Sequence, residues 1–272
     1  MSEVVKTTDG APVVVVERRG RVMVVTINRP EARNAVNLDV WQRIGRALEE
    51  CEHDESVWAL VITGAGDKSF CAGADLKAIS RGERIVPEDR VEAGWGFAGY
   101  VHHPISKPTI AAVNGTALGG GTEICLASDL VVAADIALFG LPEVKRGIYA
   151  GAGGVFRLPR QIPRKVAMEM IMTGEPIDAA RALALGFINR VVAADQVVDA
   201  AVALAEKVCE AAPLSVQASK RVALGITDGL IADEESDWER STREGAALMK
   251  SADAKEGPLA FAEKRAPNWQ GK

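Results

Sequence analysis

The pattern of this 272-residue chain predicts an α/β protein. Three observations predict it. Trp58–Thr63, Thr109–Val113 and Leu130–Ala133 are short, continuous apolar runs, the signature of strands buried on both faces. Between them lie segments with apolar residues at three- and four-residue spacings, and glycine clusters mark the turns. Strands that alternate with helices through about residue 195 define an α/β architecture.

The elements follow in order. Val13–Val16 and Val22–Ile27, joined by Arg18-Arg19-Gly20-Arg21, read as a β-hairpin stopped by Asn28-Arg29-Pro30. Asn37 is a suitable N-cap, and Leu38, Trp41, Ile44, Leu48 and Cys51 then share one helical face. Gly64-Ala65-Gly66-Asp67 turns the strand that precedes it, and a helix is expected to start near Gly120. Residues 80–92 are charged and poorly periodic, and read as a mobile loop that sets ligand preference. From Asp195 to Lys264 the pattern is almost wholly helical: Ala200–Ala211 ended by Pro213, then Ser215–Leu224, Glu234–Met249 and Asp253–Lys264. The expected division is therefore a catalytic core over 1–195 and a helical C-terminal region over 196–272.

Composition narrows the function. Hydrophobic residues are 48%, charged residues 25% and the net charge is −5, an ordinary globular balance with no global basic field for nucleic acid. The N-terminus lacks an apolar stretch after a basic start, and no apolar run is long enough for a bilayer, so a cytoplasmic protein without membrane contact is expected. The four cysteines (51, 71, 125, 209) form no CxxC pair, which suggests neither a disulfide framework nor a metal site. His53, His102 and His103 read as solvated histidines. No dinucleotide fingerprint, phosphate-binding GxxxxGK[ST] loop or GxSxG elbow is present.

Two glutamates remain. Glu123 follows the run Gly119-Gly120-Gly121-Thr122, and Glu143 in Leu141-Pro142-Glu143 precedes Gly151-Ala152-Gly153-Gly154. Early helix N–H groups lack intrahelical partners and carry partial positive charge, and glycine lets a ligand oxygen approach them. Ser69–Leu76, small residues after a strand, offers a second donor. Two carboxylates beside such donors suit acid/base chemistry on a carbonyl compound.

At this point the chain resembles the crotonase (enoyl-CoA hydratase/isomerase) superfamily. The resemblance rests on Asn28-Arg29-Pro30 with Asn34-Ala35, on Phe70–Leu76, on Asn114–Glu123, on Phe139–Gly154 and on Gly257–Arg265, in the family's order along nearly the whole chain. It implies a ClpP-like spiral of ββα units with a helical C-terminal trimerisation region. The Ala74 and Gly120 N–H groups would bind the thioester oxygen of an acyl-CoA. Glu123 and Glu143 would hold a water for syn addition across a C2–C3 double bond, Glu123 as base and Glu143 as the acid at C2. The Gly151 N–H would help place that water. Ala72, Asp75 and Leu76 would line the coenzyme A path, and Phe261 and Lys264 would reach coenzyme A from one helical face. Glu31 stands where the family carries a cation after Asn-Arg-Pro, and Arg33 is expected to replace it. Tyr149-Ala150 stands where many hydratases have a proline.

The resemblance implies no cofactor, since coenzyme A is part of the substrate, and a homotrimer or dimer of trimers. The ending Glu256–Trp269 and Arg157-Leu158-Pro159 resemble the carnitinyl-CoA dehydratase branch, and steroid side-chain hydratases end similarly. The leading expectation is a 2-enoyl-CoA hydratase. The rivals are a carnitinyl-CoA dehydratase, a Δ3-Δ2 enoyl-CoA isomerase, which commonly manages with one acidic residue, and a non-catalytic acyl-CoA-binding protein.

Overall fold

The computed structural model describes residues 11–272; the N-terminal segment read above for targeting lies outside the described residues. The strands and helices run β1 Val14–Arg19, β2 Val22–Ile27, α1 Leu38–His53, β3 Ala59–Gly64, β4 Ser69–Cys71, α2 Leu76–Ser80, α3 Arg90–Gly94, β5 Thr109–Val113, β6 Thr116–Leu118, α4 Gly120–Ala127, β7 Leu130–Ala134 and β8 Leu138–Gly140. There follow α5 Gly154–Gln161, α6 Arg164–Thr173, β9 Ile177–Asp178, α7 Ala179–Ala184, β10 Arg190–Val192, α8 Val197–Cys209, α9 Pro213–Leu224, β11 Ile226–Thr227, β12 Leu230–Ile231, α10 Glu235–Leu248 and α11 Ala252–Ala262.

Two sheets organise the body. The larger has the order β1-β2-β3-β5-β7-β10, and the smaller β4-β6-β8-β9. The first hairpin is antiparallel, with Val14 opposite Ile27, and the rest of the large sheet is parallel. Each of the pairs β3/β4, β5/β6 and β7/β8 sends its first strand to the large sheet and its second to the small one. That repetition is the ββα spiral. Between β5 and β6 a glycine serves the corner. At Gly115 a Cβ would meet the Lys68 backbone at 2.6 Å, so only glycine lets the chain turn there.

Burial explains the strand sequences. Every residue of β3 and β5 is buried, covered on both faces, hence the unbroken apolar runs. Asn37 caps α1 by accepting the Val40 N–H at 3.0 Å, and Trp41, Ile44, Leu48 and Cys51 face the core. Leu38, at the helix start, is only half-buried.

The helical tail opens with α8, which packs across β2, β3, β5 and β7. The break expected at residue 195 thus falls before a helix that covers the large sheet. Pro213, read as the end of one helix, is instead the first residue of the next, where its missing N–H costs nothing. The 80–92 stretch contains the end of α2 and the start of α3, with exposed ion pairs Arg81–Glu83 and Arg84–Glu88 between them. His103 is not solvated: it is 7% exposed, stacks on Trp95 at 4.9 Å, and burial lowers its pKa to about 4. His102 is half-buried and stacks on Trp238.

Candidate active site

Glu123 sits in the first turn of α4, and Glu143 in the short 3-10 turn Pro142–Arg146 after β8. Both are brought to one place by the small sheet. Thr122, fully buried, donates its hydroxyl to the Ala117 carbonyl at 2.7 Å and accepts the Gly140 N–H at 3.0 Å. It stitches the ends of β6 and β8 together immediately beside Glu123. Gly119 has φ +56°, and a Cβ there would stand 2.8 Å from Glu143 Oε1. Glycine is required at that position twice over, for its backbone and for the carboxylate.

The carboxylates differ in their partners. Glu123 is 3% exposed, and its Oε1 accepts the Gly154 N–H at 2.9 Å from the first residue of α5. Glu143 Oε2 is buried and has no partner among the described residues. Burial pushes both upward, Glu123 to about 8 with the neighbouring Glu143 charge adding to the rise, and Glu143 to about 7. Such a pair titrates jointly, and near neutral pH it holds about one proton. Taken one at a time these values would leave the last proton on Glu123; the backbone donors on Glu123 act against that by favouring its carboxylate form, and the unpartnered oxygen on Glu143 favours the proton there.

The expected oxyanion donors lie at the edge of the same site. Val36 donates to Gly73 O and accepts from Asp75 N, each at 2.9 Å, which pins the backbone around Ala74. Neither the Ala74 nor the Gly120 N–H has a protein acceptor among the described residues. The two are close, because a Cβ on Gly73 would be 3.2 Å from Gly120 N.

The remaining expected residues divide. Ala72 is exposed, and its N–H donates to the Arg33 carbonyl at 3.1 Å, so exposed Arg33 stands beside the 72–76 segment with no ion pair among the described residues. Asp75 is committed to structure: it caps α2 through the Ala78 N–H and pairs with Arg29 at 2.9 Å. Leu76 is half-buried at the start of α2. Gly151 does not offer its N–H to the site, because that group donates to the Tyr149 carbonyl at 2.8 Å in a tight turn. The donor on Glu123 is Gly154 instead, joined by the Ala152 N–H.

Phe261 and Lys264 do not share a helical face. Lys264 lies beyond α11 with φ +55°, where its N–H reaches Phe261 O and the Arg265 N–H reaches Ala260 O. That is a Schellman ending, so helical spacing stops before Lys264. Phe261 is half exposed, with the Arg146 guanidinium 4.2 Å from its ring centre. The C-terminal helix thus rests on the turn that carries Glu143 in its own chain, and also on α2.

Three contributors escaped the sequence reading. Gly154 and Ala152 were seen only as part of a glycine cluster. Phe97 was not seen at all, yet a Cβ on Gly120 would run into its ring. Its signal was the bracketing Gly96 and Gly99, both at positive φ, with Ala98 also at φ +62° between them. A cavity of about 710 Å³ lies between α1 and residues 83–84, and another of about 810 Å³ lies between α5, α9 and β7; neither is lined by Glu123 or Glu143.

A ββα spiral that sets two buried glutamates beside a pair of acceptor-free backbone N–H groups is the crotonase arrangement. The chain matches the family model described as enoyl-CoA hydratase/isomerase over residues 17–272, and it belongs to that family. It is similar to carnitinyl-CoA dehydratase of Proteus mirabilis (strain HI4320), 42% identical over 267 residues that cover 93% of this chain and 97% of that one. Among solved structures it is similar to a carnitinyl-CoA hydratase from Mycobacterium avium, 65% identical with a TM-score of 0.93, covering 96% and 99% of the two chains. An enoyl-CoA hydratase from Mycobacterium tuberculosis H37Rv is 43% identical with a TM-score of 0.74, covering 96% and 100%. The chain is accordingly an enzyme of hydro-lyase type in acyl-CoA chemistry. No helix among the described residues is long and apolar enough to cross a membrane.

Proposed function

We propose that the protein adds water reversibly across the C2–C3 double bond of a 2-enoyl-CoA, with Glu123 and Glu143 as the catalytic pair. The observation that carries this reading is their inequality: Glu123 bound by a backbone donor, Glu143 Oε2 buried without one. Glu123 takes a proton from water as the oxygen bonds to C3. Glu143 delivers its proton to C2, so the pair ends with its protons exchanged and no net change. Negative charge that builds on the thioester oxygen meets the N–H groups of Ala74 and Gly120, and one such preorganised donor is worth ~3 kcal/mol of barrier. The proton and water steps call for no redox group or metal. Exposed Ala72 and Arg33 would receive the adenine and phosphate end of coenzyme A, and Lys264 would add a second cation. We assign the working form to a homotrimer or a dimer of trimers in the cytoplasm.

A narrower substrate has specific support. The similar proteins named carnitinyl-CoA dehydratase and hydratase favour a crotonobetainyl thioester over a plain fatty enoyl group. The isomerase and binding-protein rivals lose ground because both glutamates are buried at the site. The deciding experiment is a turnover panel of crotonyl-, long-chain, branched, steroid and crotonobetainyl-CoA, followed through the enone absorbance. Glu123→Gln and Glu143→Gln should each lower kcat by 100-fold or more, about the scale of general acid–base catalysis. Full activity in both variants would overturn the assignment, and thioester binding without turnover of any panel member would leave a binding protein.

A further inference from the structure

One face of α10 is directed at the catalytic turn, and the proposed chemistry does not yet use it. Asp237, Trp238, Ser241 and Gly245 recur at three- and four-residue intervals, so they line one side of the helix, and Glu234 at its N-cap position stands on the same side. Each meets the segment 149–160. The Tyr149 hydroxyl donates to the Ser241 carbonyl and lies 2.9 Å from Ser241 Oγ. Ser241 Oγ is 3.3 Å from the Gly151 carbonyl. A Cβ on Gly245 would be 3.1 Å from the same tyrosine oxygen. Glu234 takes both Arg157 Nε at 2.9 Å and Nη2 at 2.7 Å, and both residues are only 6% exposed. Arg160 pairs with Asp237, and the Phe156 and Trp238 rings meet edge to face at 4.9 Å.

The segment so held is the one that presents Gly154 N–H to Glu123. The turn that leads into α5 is not stiff by itself: Gly151 and Gly153 have maximal backbone freedom, and Gly153 stands at φ +108°. The Arg157 side chain folds back beneath Gly153, 3.3 Å from where its Cβ would be.

We propose that Tyr149, Ser241, Arg157 and Glu234 are positioning residues: α10 of the helical C-terminal region braces the glycine turn and thereby keeps the Gly154 N–H on Glu123. The helical tail would then act on the acid/base step itself, not only on assembly. The inference rests on the reading of Glu123 as the base. Loosening the turn withdraws a donor that favours the carboxylate, so Glu123 should bind its proton more tightly.

The test uses the full chain and two conservative variants, Tyr149→Phe and Ser241→Ala, with turnover of the best thioester in the panel measured from pH 5 to 10. Each should lower kcat about ten-fold, a fraction of the loss on deleting a direct donor, with KM within two-fold. The acidic limb of the kcat profile should move to higher pH. Tyr149→Phe removes the bond to the Ser241 carbonyl, which Ser241→Ala keeps, and Ser241→Ala removes the Oγ contact to the Gly151 carbonyl, so the double variant should lose more than either single one. Hydrogen exchange across 149–157 should quicken in both, a readout independent of turnover. Tyr149→Phe removes one oxygen, so it tests the idea even where Ser241→Ala folds poorly. Unchanged exchange would show that α10 does not hold the turn. Faster exchange with a superimposable kcat profile would show that the turn does not tune Glu123. Either result overturns the proposal. Failure of the underlying reading looks different, as activity retained in Glu123→Gln.

Discussion

At the residue scale, Glu123 and Glu143 can divide acid and base roles because they share burial but not partners. In the proposed reaction the singly protonated pair is the working form. Below about 7 both carry protons and no base remains; above about 8 both are ionised and no acid remains. The kcat profile should therefore be bell-shaped, with its maximum between those values, and a flat profile from pH 6 to 9 would contradict it. The same shifts have a stability consequence. Both folded pKa values are raised, so the folded chain keeps protons that the unfolded chain releases in the ordinary carboxylate range. Stability from these groups is present at low pH and lost as pH rises through about 8. Glu143→Gln removes one of the two charges. Its melting temperature should exceed that of the parent at pH 9 and match it at pH 5. The difference scales at roughly 2–4 °C per kcal/mol for a chain near this size.

At the scale of elements, the end of α11 separates fold from function. Lys264 occupies the left-handed position that closes the helix, with φ +55°, where glycine is the ordinary choice. A side chain there costs about 1 kcal/mol, so something other than helix stability has to favour lysine. Binding of a coenzyme A phosphate, as proposed above, would be such a reason. Lys264→Gly should leave the melting temperature equal or higher while raising KM about ten-fold, the loss of ~1.4 kcal/mol of binding. A lower melting temperature with unchanged KM would show the lysine to be structural. This helix also shows what the sequence could and could not convey. The spacing of Phe261 and Lys264 was legible, but the Schellman turn that ends their common face was not. Asn37 and its helix, the first hairpin and the strands β3, β5 and β7 were legible, because their signals are local and strong. The small sheet was not, since β4, β6 and β8 have three residues each and β9 two, too short for any period. At the site, the glutamates and the glycine run were readable in one dimension. The Gly154 donor, the Phe97 ring and the brace on Ser241 are tertiary contacts over 31, 23 and 92 residues, and no spacing announces them.

For the whole molecule, the open question is what covers the outer faces of the helices. None of the residues of α9 is buried. The helix is held to the body by a polar anchor, with Lys220 Nζ 2.8 Å from Asp129 Oδ2 and 2.9 Å from the Lys107 carbonyl. Two of its apolar residues are turned away: Leu214 is 76% exposed and Val222 84%. Met172 on α6 is 64% exposed. Single exposed apolar side chains are common on protein surfaces, but a helix with a polar inner anchor and apolar outer residues has the pattern reversed. Covering each such side chain stabilises association by about 1.5–3 kcal/mol. The trimer proposed above would supply that cover with a second copy of the chain. Light scattering at micromolar concentration should then give three or six times 28.8 kDa. Val222→Glu puts a carboxylate into the covered face, where burial without a partner is costly, and should shift the mass toward 28.8 kDa. If the parent chain already weighs as a monomer, or if Val222→Glu leaves the oligomer intact, α9 is not part of the interface. If the oligomer dissociates and turnover falls with it, the active site depends on assembly. If it dissociates and turnover persists, one chain holds a complete site, as expected where α11 rests on the Glu143 turn of its own protomer.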